Sequence, residues 1–230
     1  MGEGEILILP AVSSGNIAQL ATDLFIHTLK AQYVESLDDR YLYPFVGPQD
    51  RVEGETPREA ISTPADVYKA PGYTIVQLRS PTIPGFRQRF VSETLLPFIE
   101  ANKFKQVVIL GSSNAALRPQ HPGQAPVQLF SESLADQLSG LSLNSESPVH
   151  PTPKELPESG IVLDILKNIS SSLAIVAFAY EGDNFGDAEN LATQAAQVLN
   201  LPPQTWVRPI SWKRAYGKDV PLGIEEGLYS

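Results

Sequence analysis

The amino-terminal part of the chain contains an apolar run that is followed directly by a helical pattern. Residues 5–12 are almost all apolar, which is typical of a strand that is covered on both faces of a sheet. Residues 13–16, Ser-Ser-Gly-Asn, favour a turn and a helix start. From residue 17 to residue 28 apolar side chains recur at three- and four-residue spacing, so an amphipathic helix is expected. This stretch therefore predicts a β–turn–α unit.

Short apolar runs continue to alternate with helical segments along the rest of the chain. Further strands are predicted by runs rich in β-branched or aromatic residues at 41–46, 67–69, 73–79, 106–110 and 173–180. Further helices are predicted at 92–103, 127–138, 160–169 and 187–199. Strands interleaved with helices predict the α/β class, with a three-layer sandwich in which a largely parallel central sheet is flanked by helices.

Two polar stretches interrupt this alternation. Residues 47–64 are loop-like, and residues 142–159 are dense in Pro, Ser and Glu, so we expect both to be exposed insertions, the second with the composition of a disordered segment. Because there is no internal repeat, a single α/β domain over residues 1–216 is the simplest account. Residues 217–230 are expected to form a flexible carboxyl-terminal tail.

The composition of the chain excludes several classes of partner and of functional site. The 230 residues carry a net charge of −9, which disfavours nucleic acid and anionic membranes as partners, since both require a basic surface. No cysteine is present, so disulfides, thiolate metal sites and a cysteine nucleophile are excluded. The longest apolar runs fall far short of the roughly 20 residues that span a bilayer. These features, with no visible export signal, predict a cytoplasmic protein, with the nucleus as a second compartment.

Three loops are expected at the carboxyl ends of strands, where open α/β sheets commonly bind ligands: 13–16, 111–114 and 181–187. The first has one glycine and no lysine, so it fits neither the P-loop nor the dinucleotide-binding pattern. The third is acidic but lacks the calcium-loop spacing. Turn formation and helix capping by Asp183 or Asp187 suit it better, so neither a metal nor a cofactor is expected.

Residues 111–115, Gly-Ser-Ser-Asn-Ala, come close to the strand–turn–helix pattern around the nucleophile of serine hydrolases. The histidines are poorly placed to assist: His27 lies in a predicted helix, His121 in a proline-rich turn and His150 in the second insertion. An enzyme remains the alternative interpretation, either a small-molecule hydrolase or a nucleoside-phosphorylase-like transferase on the same fold. It predicts a pocket lined by Asn16, Ser113 and Asp183.

The chain finishes with a hydrophobic residue, a tyrosine and a final residue: Leu228, Tyr229 and Ser230. An α-carboxylate is ionised at neutral pH and offers an anion that a lysine can capture. Tyrosine adds a flat apolar ring with a polar tip, which gains contact area at an interface. A tail of this composition is suited to insertion into a pocket of another protein.

Three sequence blocks together carry a resemblance. They are residues 9–24, Leu-Pro-Ala-Val-Ser-Ser-Gly-Asn-Ile-Ala-Gln-Leu-Ala-Thr-Asp-Leu, residues 180–184, Tyr-Glu-Gly-Asp-Asn, and Ser211-Trp212 with Tyr216-Gly217-Lys218. In this order they resemble the proteasome alpha-ring assembly chaperone family, in its assembly chaperone 2 branch. The first block is the most specific, and residues 47–160 match weakly.

The resemblance implies a non-enzymatic chaperone of 20S proteasome assembly that forms a heterodimer with proteasome assembly chaperone 1 and binds the proteasome alpha subunits of the alpha-ring. It also implies that Leu228, Tyr229 and Ser230 form a hydrophobic–Tyr–any (HbYX) motif that enters a pocket between neighbouring alpha subunits. The Ser230 carboxylate would pair with a pocket lysine. A regulator of mature proteasomes, which would dock in the same way, is the other non-enzymatic reading of this tail.

Overall fold

The computed structural model describes residues 4–56, 60–117, 126–131, 149–150, 156 and 159–214. Over these residues the strands are β1 (Ile6–Pro10), β2 (Gln32–Ser36), β3 (Gly47–Pro48), β4 (Ile61–Ser62), β5 (Ala65–Ala70), β6 (Tyr73–Leu78), β7 (Gln106–Asn114), β8 (Val127–Phe130), β9 (Val149–His150) and β10 (Ser172–Ala179). Eight of these described strands form one sheet in the order β2-β5-β6-β1-β7-β10-β8-β9, and β3 and β4 pair separately.

Four longer helical segments accompany the described strands: α1 (Ile17–Thr28), α2 (residues 87–102), α3 (Gly160–Asn168) and α4 (Phe185–Val198). The middle of α2, Phe90–Leu95, has π-helical hydrogen bonding. Pro97 lies just after it and has no N–H to donate, so the helix passes the proline through a wider turn instead of breaking. Helical turns of 3₁₀ type cover Ser14–Asn16, Ala115–Leu117 and Ile210–Arg214.

The centre of the sheet is parallel and its flanks are mixed. β1 pairs in parallel with β6 and β7, and β7 pairs in parallel with β10. On the flanks, β2, β5 and β6 are joined by antiparallel pairing, and β8 is antiparallel to β10. The predicted α/β class with a largely parallel central sheet is therefore confirmed. The carboxyl ends of β1, β6, β7 and β10 meet at one border of the sheet, which we call the carboxyl edge.

Helices cover both faces of the sheet. Alternate residues of β1 point to opposite sides, as the two-residue period of a strand requires. Leu7 belongs to a core cluster that includes residues of α2 and α3, whereas Ile8 belongs to a second cluster that includes residues of α1 and α4. The predicted three-layer arrangement follows from this alternation of fully buried side chains.

Several element predictions are wrong. Residues 41–46 form no strand; Leu42 makes only an isolated bridge to Thr82. The start of the helix predicted at 127–138 is strand β8, and its later residues lie outside the described ranges. The sequence does not predict strand β2, because all five of its residues are exposed and show no apolar alternation.

β7 is longer than the sequence indicates. It runs to Asn114, so the turn expected at residues 111–114 is the last part of a strand, and its two serines pair with β10. Ser112 and Ser113 therefore do not lie in the turn that the strand–turn–helix pattern of serine hydrolases requires. The first predicted insertion, 47–64, contains the β3–β4 hairpin. Most of the second, 142–159, lies outside the described residues, as do His121 and the whole of the 217–230 tail.

Candidate functional site

Serine hydroxyl groups join the ends of β1 and β7 at the carboxyl edge. The Ser13 Oγ atom accepts a hydrogen bond from the Ser112 backbone N–H at 3.0 Å, donates to the Ala11 carbonyl at 3.0 Å and lies 2.9 Å from the Ser112 Oγ atom. The Ser112 hydroxyl donates to the Ser14 carbonyl oxygen at 2.5 Å. The Ser159 hydroxyl donates to the Ser112 carbonyl oxygen. These hydroxyl groups form hydrogen bonds with backbone N–H and carbonyl groups, as buried polar groups generally must.

The 13–16 turn contacts the 180–187 turn through Gly15 and Asn184. Gly15 has a φ of +66°, and a Cβ atom at this residue would lie 2.6 Å from the Asn184 Oδ1 atom. The Asn184 side chain is almost fully buried; it donates to the Tyr180 carbonyl at 2.8 Å and accepts from the Gly182 N–H at 3.1 Å. A residue with a side chain at position 15 would disturb this arrangement.

The acidic residues of the second turn act on the turn itself. The Asp183 carboxylate accepts from the Phe185 backbone N–H at 3.3 Å, and the Asp187 carboxylate accepts from the Asn184 side-chain amide at 3.0 Å. The predicted capping is therefore confirmed for Asp183, which accepts from the first N–H of α4, whereas Asp187 bonds to the Asn184 side chain instead of a backbone N–H. Over the described residues no group of three or more His, Asp or Glu side chains is arranged to hold a metal ion.

The described histidine side chain lies away from these serines. His27 is in the last turn of α1, about 16 Å along the helix axis from Asn16 at 1.5 Å per residue. Burial lowers the pKa of His27, and the nearby carboxylates of Asp23 and Asp50 partly oppose this effect. His27 is therefore not placed to act as a general base for Ser112 or Ser113.

A buried ion pair that the sequence did not reveal lies between α1 and β6. The Asp23 carboxylate accepts from the Arg79 guanidinium at 2.8 and 2.9 Å and from the Gln77 side-chain amide at 2.7 Å. Asp23 lies outside the apolar spacing of α1, yet it is only 3% exposed. Its charge is balanced by an arginine that follows β6, a pairing that sequence spacing alone does not indicate.

Residues 202–214 cross the outside of α4 and α1, and we call this segment the strap. Trp206 meets Phe25 of α1 edge-on, with ring centroids 5.1 Å apart. Its indole N–H donates to the Thr193 hydroxyl at 3.0 Å. The next residue, Val207, donates its backbone N–H to the Thr28 hydroxyl at 3.0 Å. These contacts fix the first half of the strap on the two helices.

The second half of the strap runs antiparallel to α4 towards the carboxyl edge. The Arg208 guanidinium pairs with the Glu189 carboxylate at 2.7 Å, which raises the pKa of Arg208. The Trp212 ring stacks on the Phe185 ring with centroids 4.4 Å apart and planes inclined by 7°. Since Phe185 is the first residue of α4, the strap finishes where β10 passes into α4.

The loop at residues 49–55 holds the strap from its other side. The Ile210 backbone N–H donates to the Arg51 carbonyl at 2.8 Å, and the Ser211 hydroxyl donates to the Asp50 carboxylate at 2.5 Å. The Lys213 ammonium lies 2.6 Å from the Glu53 carboxylate, which lowers the pKa of Glu53. Residues 210–213 are therefore held between α4 and this loop.

Cavities lie beside the same loop. One of about 390 Å³ is lined by His27, Asp50 and Arg79, and another of about 550 Å³ by Phe45, Pro48 and Ile210. Neither is lined by Asn16, Ser113 or Asp183, the residues on which the enzymatic alternative depends.

The described parts of the three sequence blocks therefore converge at one corner. Gly15 contacts Asn184, and Phe185, the residue after the second block, stacks on Trp212. The Tyr216-Gly217-Lys218 part of the third block lies outside the described residues, as do the predicted site residues Leu228, Tyr229 and Ser230. None of the described helices is long and apolar enough to cross a membrane.

Comparison with known proteins identifies relatives along most of the chain. Proteasome assembly chaperone 2 of Saccharomyces cerevisiae is 30% identical over 252 aligned residues, which cover 92% of this chain and 94% of the relative. Proteasome assembly chaperone 2 of Nematostella vectensis is 32% identical, with 82% and 86% of the two chains covered. The resemblance found in the sequence is thus confirmed.

Solved structures show the same fold. PbaA of Pyrococcus furiosus, an archaeal homolog of proteasome-assembly chaperone, superimposes with a TM-score of 0.66 at 14% identity, over 87% of this chain and 84% of that one. PbaB of the same organism, an archaeal proteasome activator, gives a TM-score of 0.60 at 14% identity, over 87% and 86%. The sequence profile of the PAC2 family matches residues 7–199. The chain belongs to the PAC2 family.

Proposed function

We propose that this chain is a non-catalytic chaperone of 20S proteasome assembly. In this proposal it forms a heterodimer with proteasome assembly chaperone 1, binds the alpha-ring and inserts Leu228, Tyr229 and Ser230 into a pocket between alpha subunits. Membership of the PAC2 family and relatives named proteasome assembly chaperone 2 support the general role. We place this activity in the cytoplasm and nucleus.

The observation that carries the proposal is the position of the strap. Trp212 stacks on Phe185 at the corner where the family-like blocks meet, so the chain reaches Arg214, sixteen residues before its last residue, at the carboxyl edge. Sixteen residues reach about 55 Å when fully extended, or roughly 20–24 Å as a flexible coil. A body docked through this edge thus has enough chain to reach a pocket in the surface beneath it.

The chemistry of the last three residues suits such a pocket. The Ser230 carboxylate offers a full negative charge to a lysine, and the Tyr229 ring buries apolar area while its hydroxyl keeps a hydrogen-bond partner. Ordering each backbone residue costs about 1–2 kcal/mol, so the tail alone binds weakly. A docked body compensates by keeping the tail at a high effective concentration beside its pocket.

Exposed apolar side chains support a second subunit. Near the β3–β4 hairpin, Tyr43, Phe45, Val46 and Ile61 are 47%, 41%, 71% and 63% exposed. Beside them β2 forms a border of the described sheet, where unpaired backbone groups are open to another chain. A heterodimer would cover part of this surface.

The absence of catalysis is supported by how the serines are used. Ser113, the residue in the nucleophile position of the serine-hydrolase pattern, lies within strand β7 and not in a turn. The neighbouring hydroxyls of Ser13 and Ser112 are engaged with backbone groups at the carboxyl edge. The enzymatic alternative predicts a rise in melting temperature with phosphate or nucleosides. The chaperone proposal predicts no such rise, so one thermal-shift series separates the two.

The proposal is tested by affinity purification of the tagged chain from its own cells, followed by native electrophoresis and mass spectrometry. We expect a second chaperone together with alpha-ring intermediates. Deleting Leu228–Ser230 should keep the second chaperone but recover fewer alpha subunits. Deleting Asp219–Pro221, which shortens the tail equally and keeps the last triplet, is the matched control.

Each other outcome has a definite meaning. Recovery of finished proteasomes in place of intermediates would support a regulator of mature particles. Equal recovery of alpha subunits by the two deletion variants would refute the role of the terminal triplet. Recovery of no proteasome subunit at all would refute the function itself.

A further inference from the structure

We infer that the strap is a clamp that fixes the origin of the tail at the carboxyl edge and thereby sets the effective concentration of the terminal triplet. Arg208 and Trp212 are its positioning residues. This inference rests on the proposed docking of the tail, but its structural half is testable without any proteasome.

The contacts of the strap are arranged to hold a chain segment. It adds no strand to the described sheet, yet its second half is tied on both sides, by Phe185 and Glu189 of α4 and by the 49–55 loop. Trp212 is only 6% exposed. Stacking and burial of a ring this large oppose fraying of the segment that carries it.

Arg208 and Trp212 form one unit within the clamp. The Arg208 guanidinium carbon lies 5.7 Å from the centre of the Trp212 ring, while the same guanidinium bonds to Glu189. A cation over an aromatic face is attracted by the ring quadrupole. Removing both side chains releases the strap from α4 beyond Val207, whose backbone N–H stays bonded to Thr28 on α1.

Release of the clamp has a calculable effect. The bonds to the 49–55 loop that remain come from one backbone N–H, of Ile210, and from the exposed side chains of Ser211 and Lys213, and exposed pairs of this kind contribute little. With the strap held, sixteen residues separate Arg214 from the end of the chain; with the strap free from residue 208 onward, twenty-three do. The effective concentration of a flexible tether falls roughly as the −3/2 power of its length, so this change lowers it about 1.7-fold. The loss should equal that caused by inserting seven residues into the tail of the intact clamp.

The experiment compares full-length heterodimers that differ only in the strap or tail. The variants are Arg208→Ala with Trp212→Ala, the conservative Trp212→Phe, and chains with 7, 14 or 28 Gly/Ser residues inserted after Arg214. For each variant we measure the Kd for purified alpha-ring intermediates in two forms, with and without Leu228–Ser230. The Kd without these residues divided by the Kd with them is the contribution of the tail to the affinity. The inserted chains give a calibration curve, on which we expect the double alanine variant to fall beside the seven-residue insertion and Trp212→Phe beside the unmodified chain.

A second readout reports on the clamp alone. The chain has no cysteine, so Arg214→Cys gives a single site for a spin label. We expect the label to become more mobile in the double alanine variant and to stay restricted in Trp212→Phe. Circular dichroism verifies that every variant keeps the fold.

The two readouts separate failure of this inference from failure of the proposed function. A label as mobile in the unmodified chain as in the double alanine variant would overturn the clamp. The clamp would also be overturned if the double alanine substitution lowered the affinity by the same factor in heterodimers that lack Leu228–Ser230. Arg208 and Trp212 would then contact the alpha-ring themselves. If deletion of the triplet leaves the affinity of the unmodified heterodimer unchanged, the docking proposal fails, whereas a restricted label still confirms that the strap holds Arg214.

Discussion

The backbone of Gly15 lies against the side chain of Asn184, so close that no larger residue fits without movement. These residues are 169 positions apart in the sequence, and their contact links the turn after β1 to the turn after β10. Gly15 also has a positive φ, which L-residues with a side chain adopt at a cost. Its identity is therefore set by conformation and by space at once.

We predict that Gly15→Ala destabilises the fold by about 2 kcal/mol or more, because strain at positive φ adds to the close contact with the Asn184 amide oxygen. Urea unfolding followed by circular dichroism measures this. Gly182→Ala is the matched control, since a Cβ atom there meets no atom within 4 Å and should change stability by less than about 0.5 kcal/mol. Equal effects of the two substitutions would contradict the steric explanation.

A second prediction concerns the Asp23–Arg79 pair. The two side chains are 4% and 19% exposed, so Asp23→Asn leaves a largely buried guanidinium without its counter-charge and should cost about 3 kcal/mol. Asp23→Leu combined with Arg79→Met should recover much of this loss, because it removes both charges together. Unfolding midpoints in urea test both expectations.

The control for this pair is an ion pair on the surface. Asp38 lies 2.6 Å from Arg40, but their side chains are 44% and 66% exposed. Solvent screens such a pair, so Asp38→Asn should leave the unfolding midpoint unchanged. If Asp23→Asn also leaves the unfolding midpoint unchanged, the Asp23–Arg79 pair does not stabilise the fold.

Much of this architecture follows from hydrophobic patterning. The apolar run at residues 5–12 and the periodic stretch at 17–28 predict β1 and α1 closely, because both elements are buried in the way their patterns require. The sequence predicts a helix where β8 lies, because a short apolar run fits either element. β2 has no apolar alternation, since it is an exposed border strand.

The candidate site was less accessible to sequence reasoning. Short polar side chains favour turns, so the sequence predicts a turn at Ser112 and Ser113, but both residues are buried within β7. Ser112 is satisfied by groups about 100 residues away. The strap has no repeating pattern, so its contacts with α4 and with the 49–55 loop emerge only from the tertiary structure.

The pH dependence of stability should carry a contribution from His27. Burial lowers its pKa in the folded state below the ordinary value of 6.5, so the unfolded chain binds the proton more readily. Stability is therefore lost as pH falls from about 6.5 towards the lower folded pKa. His27→Gln should lose less stability than the unmodified chain between pH 7 and pH 5, as measured by urea unfolding at each pH. A difference between the two chains that is the same at every pH would contradict this.

The last prediction isolates the Ser230 carboxylate. A synthetic peptide of residues 217–230 with a free acid should compete with the heterodimer for alpha-ring intermediates at high concentration, since the tail alone has no docked body to assist it. The same peptide with an amidated end should compete about tenfold less well or worse, because a hydrogen bond to a charged group contributes about 1.5–3 kcal/mol.

Two further peptides test which side chains of the terminal triplet the alpha-ring pocket recognises. Tyr229→Phe removes only the phenolic hydroxyl and should weaken competition by no more than about tenfold, as expected for one hydrogen bond between neutral groups. A peptide that ends Tyr-Leu-Ser keeps the composition and the carboxylate but exchanges the two larger side chains, so it should compete poorly. If the amide competes as well as the acid, no lysine recognises the carboxylate. If the exchanged peptide competes as well as the native order, the tail is held by charge alone and not by a shaped pocket between subunits.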